Sequence, residues 1–188
     1  MKKRNLYGLI LLNAFLLMSC GNESKKNQMQ EIIAMEVALD SLHNVAFNTD
    51  SNRVSQDSLI LTVQETLERL KKSYNADTID YEHAKKLDAY KEIEDALSIN
   101  SGNLAKAKQA IEDTQKKVDA LGHDISKGIN DRNSYQSFIN FEKDKINEIE
   151  NILNYYLEKH DEYKARYDSL HPIVMQLIED LEKQNDEK

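Results

Sequence analysis

Cysteine occurs once in the 188 residues, at Cys20, so the chain can form no internal disulfide. Proline also occurs once, at Pro172, tryptophan is absent, and there are five glycines. Sheets need turns, and turns need glycine, proline and asparagine clusters at short spacing. Such clusters are too few here, which excludes β-sandwiches, barrels and βαβ arrays. There is no glycine-rich phosphate loop, no CxxCH haem attachment and no serine–histidine–acid set on strands and loops. No catalytic residue and no cofactor is therefore expected. Long apolar runs are missing as well. The longest, Leu6 to Met18, is interrupted by Gly8 and Asn13, and a spanning helix needs about 20 apolar residues.

What is present starts with that run. Lys2, Lys3 and Arg4 precede it, and Leu17-Met18-Ser19-Cys20 closes it. A basic start, an apolar middle and a small residue before a cut site make a secretory signal peptide. With cysteine directly after the cut, the run resembles the lipobox of bacterial lipoproteins. The resemblance covers about the first two dozen residues. It implies diacylglycerol on the Cys20 thiol, cleavage before Cys20 and acylation of the new amino group. Two or more acyl chains hold a protein stably to a bilayer. Residues 1–19 are then signal peptide and 20–28 a lipidated polar tether. Gly21 follows the cysteine, not the aspartate of inner-membrane retention, and no acidic run marks surface export. The expected location is the bacterial cell envelope, on the outer membrane facing the periplasm.

The chain carries 33 acidic and 25 basic residues, a net charge of −8. Removing residues 1–19 takes away three positive charges and makes the body more acidic still. Such a surface repels phosphate backbones and anionic head groups alike. Nucleic acid is not an expected partner, and membrane contact falls to the lipid on Cys20.

The body reads as helix throughout. Ile139, Ile146, Leu153, His160, Tyr167, Val174 and Leu181 recur every seven residues. Glu142, Ile149, Tyr156, Tyr163, Leu170 and Leu177 form the second series, the a/d pattern of a coiled coil. This predicts a helix over 131–183. Tyr90, Leu97, Leu104, Ile111, Val118 and Ile125 predict another over 78–127, running unbroken through Ser101-Gly102-Asn103 because the heptad phase is kept. Gly128 suits a left-handed helix stop, with Ile129 as its apolar partner. The two long helices therefore form an antiparallel hairpin. Two shorter helices, 28–47 and 55–74, precede it, each with its own apolar stripe.

The fold class expected is all-α: a long antiparallel helical hairpin, with the two shorter helices packing at its open end as a four-helix bundle. Toward the tip the stripe narrows, which predicts a two-helix arm. Residues 29–188 form a single elongated helical domain in this reading, and Pro172 is expected to kink the last helix.

Asp40-Ser41-Leu42-His43 and Asp168-Ser169-Leu170-His171 are the same tetrapeptide, and Asp80 and His83 repeat the spacing. Acid and histidine three apart share one helix face, and helical bundles bind metals through such pairs. Asp40, His43, Asp168 and His171 are the candidate ligands. Surface ion pairs flanking an inward leucine satisfy the same pattern, and the seams hold almost no acids, so no metal is expected. Eight of the nine tyrosines lie beyond the signal peptide, most on or beside the seam. They fill the core with hydroxyls reaching its edge, or line a ligand groove. The expected function is a non-enzymatic scaffold, spacer or interaction module contacting another envelope protein, with homo-oligomers possible. The tip residues His123, Asp124, Asp131 and Arg132 are the candidate contacts. A holdase-type chaperone and a metal- or ligand-binding bundle are the alternatives.

Overall fold

The computed structural model describes residues 4–48, 55–74, 81–129 and 132–187, with side chains described outside 4–22 and 132–133. Four helices account for nearly all of them: α1 (Arg4–Asn48), α2 (Gln56–Ser73), α3 (Tyr81–Lys127) and α4 (Arg132–Asp186). Among the described residues there is no strand. The protein is an all-α helical bundle.

Each boundary has a local cause. Ser55 caps α2, its hydroxyl accepting from the Ser58 amide at 3.2 Å. Gly128 takes φ 68° and stops α3. The Gly128 amide bonds the Ile125 carbonyl at 3.3 Å and the Ile129 amide bonds the Asp124 carbonyl at 3.2 Å, which is the Schellman arrangement. The apolar contact expected of Ile129 is not its main feature, since that side chain is 58% exposed. The buried Tyr135 takes over the closing role. Its hydroxyl donates to the Asp124 carbonyl at 3.0 Å, tying the first turns of α4 to the last turn of α3. α3 passes through Gly102 without a break. α4 likewise continues past Pro172.

The chain packs as two units, residues 1–43 with 110–149, and 44–109 with 150–188. In the first, α1 lies on the segments flanking the Gly128 turn. Gln28, Ile32, Met35 and Leu39 are buried, alternating at steps of four and three. Lys25 donates to the Ser126 carbonyl at 2.7 Å, and Glu31 pairs with Lys143 at 2.5 Å. In the second unit, Leu59, Val63 and Leu70 of α2 meet Tyr90, Ile93 and Leu97 of α3 and Val174 and Ile178 of α4. Arg69 grips Glu182 with two bonds, at 2.9 and 2.6 Å.

This corrects one part of the expected assembly. The first helix does not join the second at the open end of the hairpin, and the tip is not a two-helix arm. α1 covers it, and α1 is also longer than the expected 28–47, with Lys25 and Gln28 of the supposed tether already packed. The physical reason lies in α3. Gly122 has no side chain, and a Cβ there would sit 3.0 Å from Ile32 Cγ2. That gap widens the stripe of Val118, Leu121 and Ile125 enough to seat a third helix.

Two glycines in the same helix should therefore respond oppositely. A Cβ at Gly102 would meet nothing within 4 Å. Gly102→Ala should stabilise the fold by about 0.5–1 kcal/mol through helix propensity and a less free unfolded chain. Gly122→Leu should destabilise it by about 1–3 kcal/mol by overpacking Ile32. Urea unfolding followed by circular dichroism measures both, and equal responses would contradict the close α1–α3 contact.

Candidate functional site

The side-chain cluster richest in chemistry lies in the second unit, around Tyr90. This residue is fully buried. Its hydroxyl lies 2.7 Å from His171 Nδ1. The His171 ring stacks on Tyr167 with centroids 4.7 Å apart, and Tyr167 stacks on Tyr90 at 6.3 Å. Burial pushes the Tyr90 hydroxyl up to about 12, so it stays protonated and donates. His171 Nδ1 then accepts, which places the ring proton on Nε2. Burial also holds His171 below its ordinary range. The group is a packed aromatic and imidazole stack with its polar edge satisfied, the core-filling arrangement of the tyrosines.

A second polar cluster crosses the seam nearby. Asn100 is 2% exposed and donates from Nδ2 to the Tyr156 carbonyl at 3.0 Å and to Gln56 Oε1 at 3.3 Å. Gln56 in turn donates to the Leu97 carbonyl. Asn100 Oδ1 and, in the first unit, Glu142 Oε2 are buried without a hydrogen-bond partner. Burial raises Glu142 above the usual carboxylate range, against the pull of Lys117 and Lys145. Glu142 stands in the heptad series and Asn100 lies three residues after its member Leu97, but periodicity alone does not show which oxygen is left alone.

The expected metal ligands are not brought together. Asp40 and His43 are exposed and edge a cleft of about 290 Å³ with Ile111, Glu112, Gln115 and Lys116. Asp168 is exposed and bonds Lys164 at 2.6 Å, while its neighbour His171 faces Tyr90 instead. His83 is exposed, and His160 is buried beside Tyr156. Among the described residues, no group of three or more histidine, cysteine, aspartate and glutamate side chains is placed to hold a metal ion.

The expected contact residues divide. His123 is exposed, and its carbonyl accepts from Ser126 Oγ at 2.7 Å. Asp124 serves the turn through its carbonyl, as described above. Arg132 opens α4, but its side chain and the whole of Asp131 lie outside the described residues, as does the side chain of Cys20. Among the described residues, no helix is long and apolar enough to cross a membrane. The chain matches no family model, no curated protein and no solved structure.

Two ionisable groups make stability depend on pH in opposite directions. Glu142 has a folded value above its unfolded one, so its contribution is complete in acid and is lost as pH rises through the folded value. Glu142→Gln, which cannot ionise, should match the wild type near pH 4 and exceed it in stability at pH 7. His171 has a folded value below its unfolded one of about 6.5. Its contribution is complete above that value and is lost below it, as pH falls through the folded value. His171→Gln should flatten the loss of melting temperature between about pH 7 and 5. Thermal melts across this range test both, and parallel curves for wild type and variants would refute the assigned environments.

Proposed function

We propose that the protein is a non-enzymatic, lipid-anchored helical component of the bacterial cell envelope, acting as a scaffold, spacer or protein-interaction module. The observation that carries this reading is Leu17-Met18-Ser19-Cys20 after a basic start and a short apolar stretch. The anchor is the thiol of Cys20, and the expected membrane is the outer one, with the body in the periplasm. Several features support an interaction role. Helices of 47 and 55 residues offer long side-chain surfaces. Ile33, Val37, Phe138 and Phe141 are each more than half exposed, a distribution suited to protein contact. His123 at the turn is exposed and open to a partner.

Lipidation is tested by feeding cells radiolabelled palmitate. The wild type should take up label and fractionate with membranes. Cys20→Ser should lose essentially all label and accumulate as the uncut precursor. Label retained by the serine variant, or absent from the wild type, would refute the anchor. Crosslinking from residue 123 in cells, read by mass spectrometry, should capture a recurrent envelope protein in the wild type.

A further inference from the structure

Among the described residues, one face of α4 is left largely uncovered. It lies one residue ahead of the buried seam positions Ile146, Ile149, Leu153, Tyr156 and His160. Lys145, Glu148, Ile152, Tyr155, Lys159 and Glu162 follow one another there at alternating steps of three and four. On one unbroken helix that spacing makes a second stripe. Ile152 is 36% and Tyr155 51% exposed, large apolar groups left in water. Lys145 bonds Glu148, and Lys159 bonds Glu162, both at 2.6 Å. Lys159 also stands 5.9 Å from the Tyr155 ring centre. Beside Tyr155, a cleft of about 120 Å³ opens between Ala96, Ile99 and Tyr163, and Ile99 is 71% exposed.

The order of charges along this stripe is Lys, Glu, apolar, apolar, Lys, Glu. Reversed, it is Glu, Lys, apolar, apolar, Glu, Lys. A copy laid antiparallel thus meets an opposite charge at every charged position and an apolar group at the centre. A copy laid parallel and in register would set lysine on lysine and glutamate on glutamate. We propose that a second copy of this chain docks antiparallel along this face, with the two-fold axis passing between Ile152 and Tyr155.

In that register Ile152 of each chain faces Tyr155 of the other, and the cleft beside Tyr155 receives the incoming apolar side chain. Lys145 lies against the other chain's Glu162, and Glu148 against the other chain's Lys159. Each end of the contact becomes a closed ring of four alternating charges, two joined within a chain and two between chains. An isologous interface requires this self-complementarity, and a partner of unrelated sequence does not explain it. The inference is independent of the lipid anchor.

Sedimentation equilibrium of the purified full chain in detergent tests it. The expected result is a reversible dimer. Lys159→Glu should weaken dimerisation at least tenfold at low salt, because it places three acids in each ring. The double variant Glu148→Lys with Lys159→Glu restores every interchain pair and should return the dissociation constant to within about threefold of wild type, with unchanged helicity by circular dichroism throughout. A chain monomeric at all concentrations overturns the proposal. So does a dimer indifferent to Lys159→Glu, or one that the double reversal fails to rescue, since either means that another surface or another register holds it.

Discussion

The apolar seam between α3 and α4 is the constraint on which the remaining structure rests. Tyr90, Ile93, Leu97, Ile111, Val118 and Ile125 are buried on α3, and Tyr135, Ile139, Ile149, Leu153, Tyr156, Val174 and Ile178 on α4. Burying an aliphatic or aromatic side chain contributes about 1.5–3 kcal/mol, and ordering the chain offsets most of the sum. A repeating seam has a weakness, because a slip of one heptad leaves it equally apolar. Two features remove that freedom. The Gly128 turn holds the helix ends within a few residues of each other, and Tyr135 bonds the Asp124 carbonyl across it. Farther along, Asn100 reaches the Tyr156 carbonyl, a bond that exists in one register alone.

Such polar intrusions weaken the seam even as they specify it. Asn100, Thr114, Glu142 and His160 occupy places where leucine would pack better. Asn100 recovers part of its desolvation through Gln56 and the Tyr156 carbonyl, yet one oxygen is left without a partner. Glu142 recovers less, which is why its carboxyl resists ionisation. An unpaired buried acceptor costs about 1–3 kcal/mol. These positions therefore trade stability for register, and Glu142 makes the seam sensitive to pH where an apolar residue would not.

The four helices, and all their ends but the start of α1, were legible to within a few residues because their causes are local. Ser55, Gly128 and the seven-residue beat act on their own neighbours, and the persistence of phase through Gly102 was enough to join two half-helices into α3. The placement of α1 was not legible, because it depends on a contact between residues far apart in sequence. Gly122 reads as an ordinary helical glycine until Ile32 is seen against it. The reach of α1 upstream of residue 28 was hidden for a related reason: Lys25 and Gln28 are polar, and only the bond from Lys25 to α3 and the burial of Gln28 make them part of a packed helix. At the candidate sites, the acid–histidine spacing correctly put Asp168 and His171 on one helix. It could not show that Tyr90 claims the imidazole from another.

Attachment and recognition are separable in such a protein. If lipid on Cys20 supplies the membrane affinity, the body needs no basic face of its own. Its surface is then free to carry pattern instead of net charge. The outer stripe of α4 is a case of this. Its lysines and glutamates balance one another, so it contributes little to long-range attraction, but their order determines what can lie against it. Specificity of that kind is short-ranged and sensitive to register. It suits a helix whose own register is already held by the turn at Gly128 and the amide at Asn100.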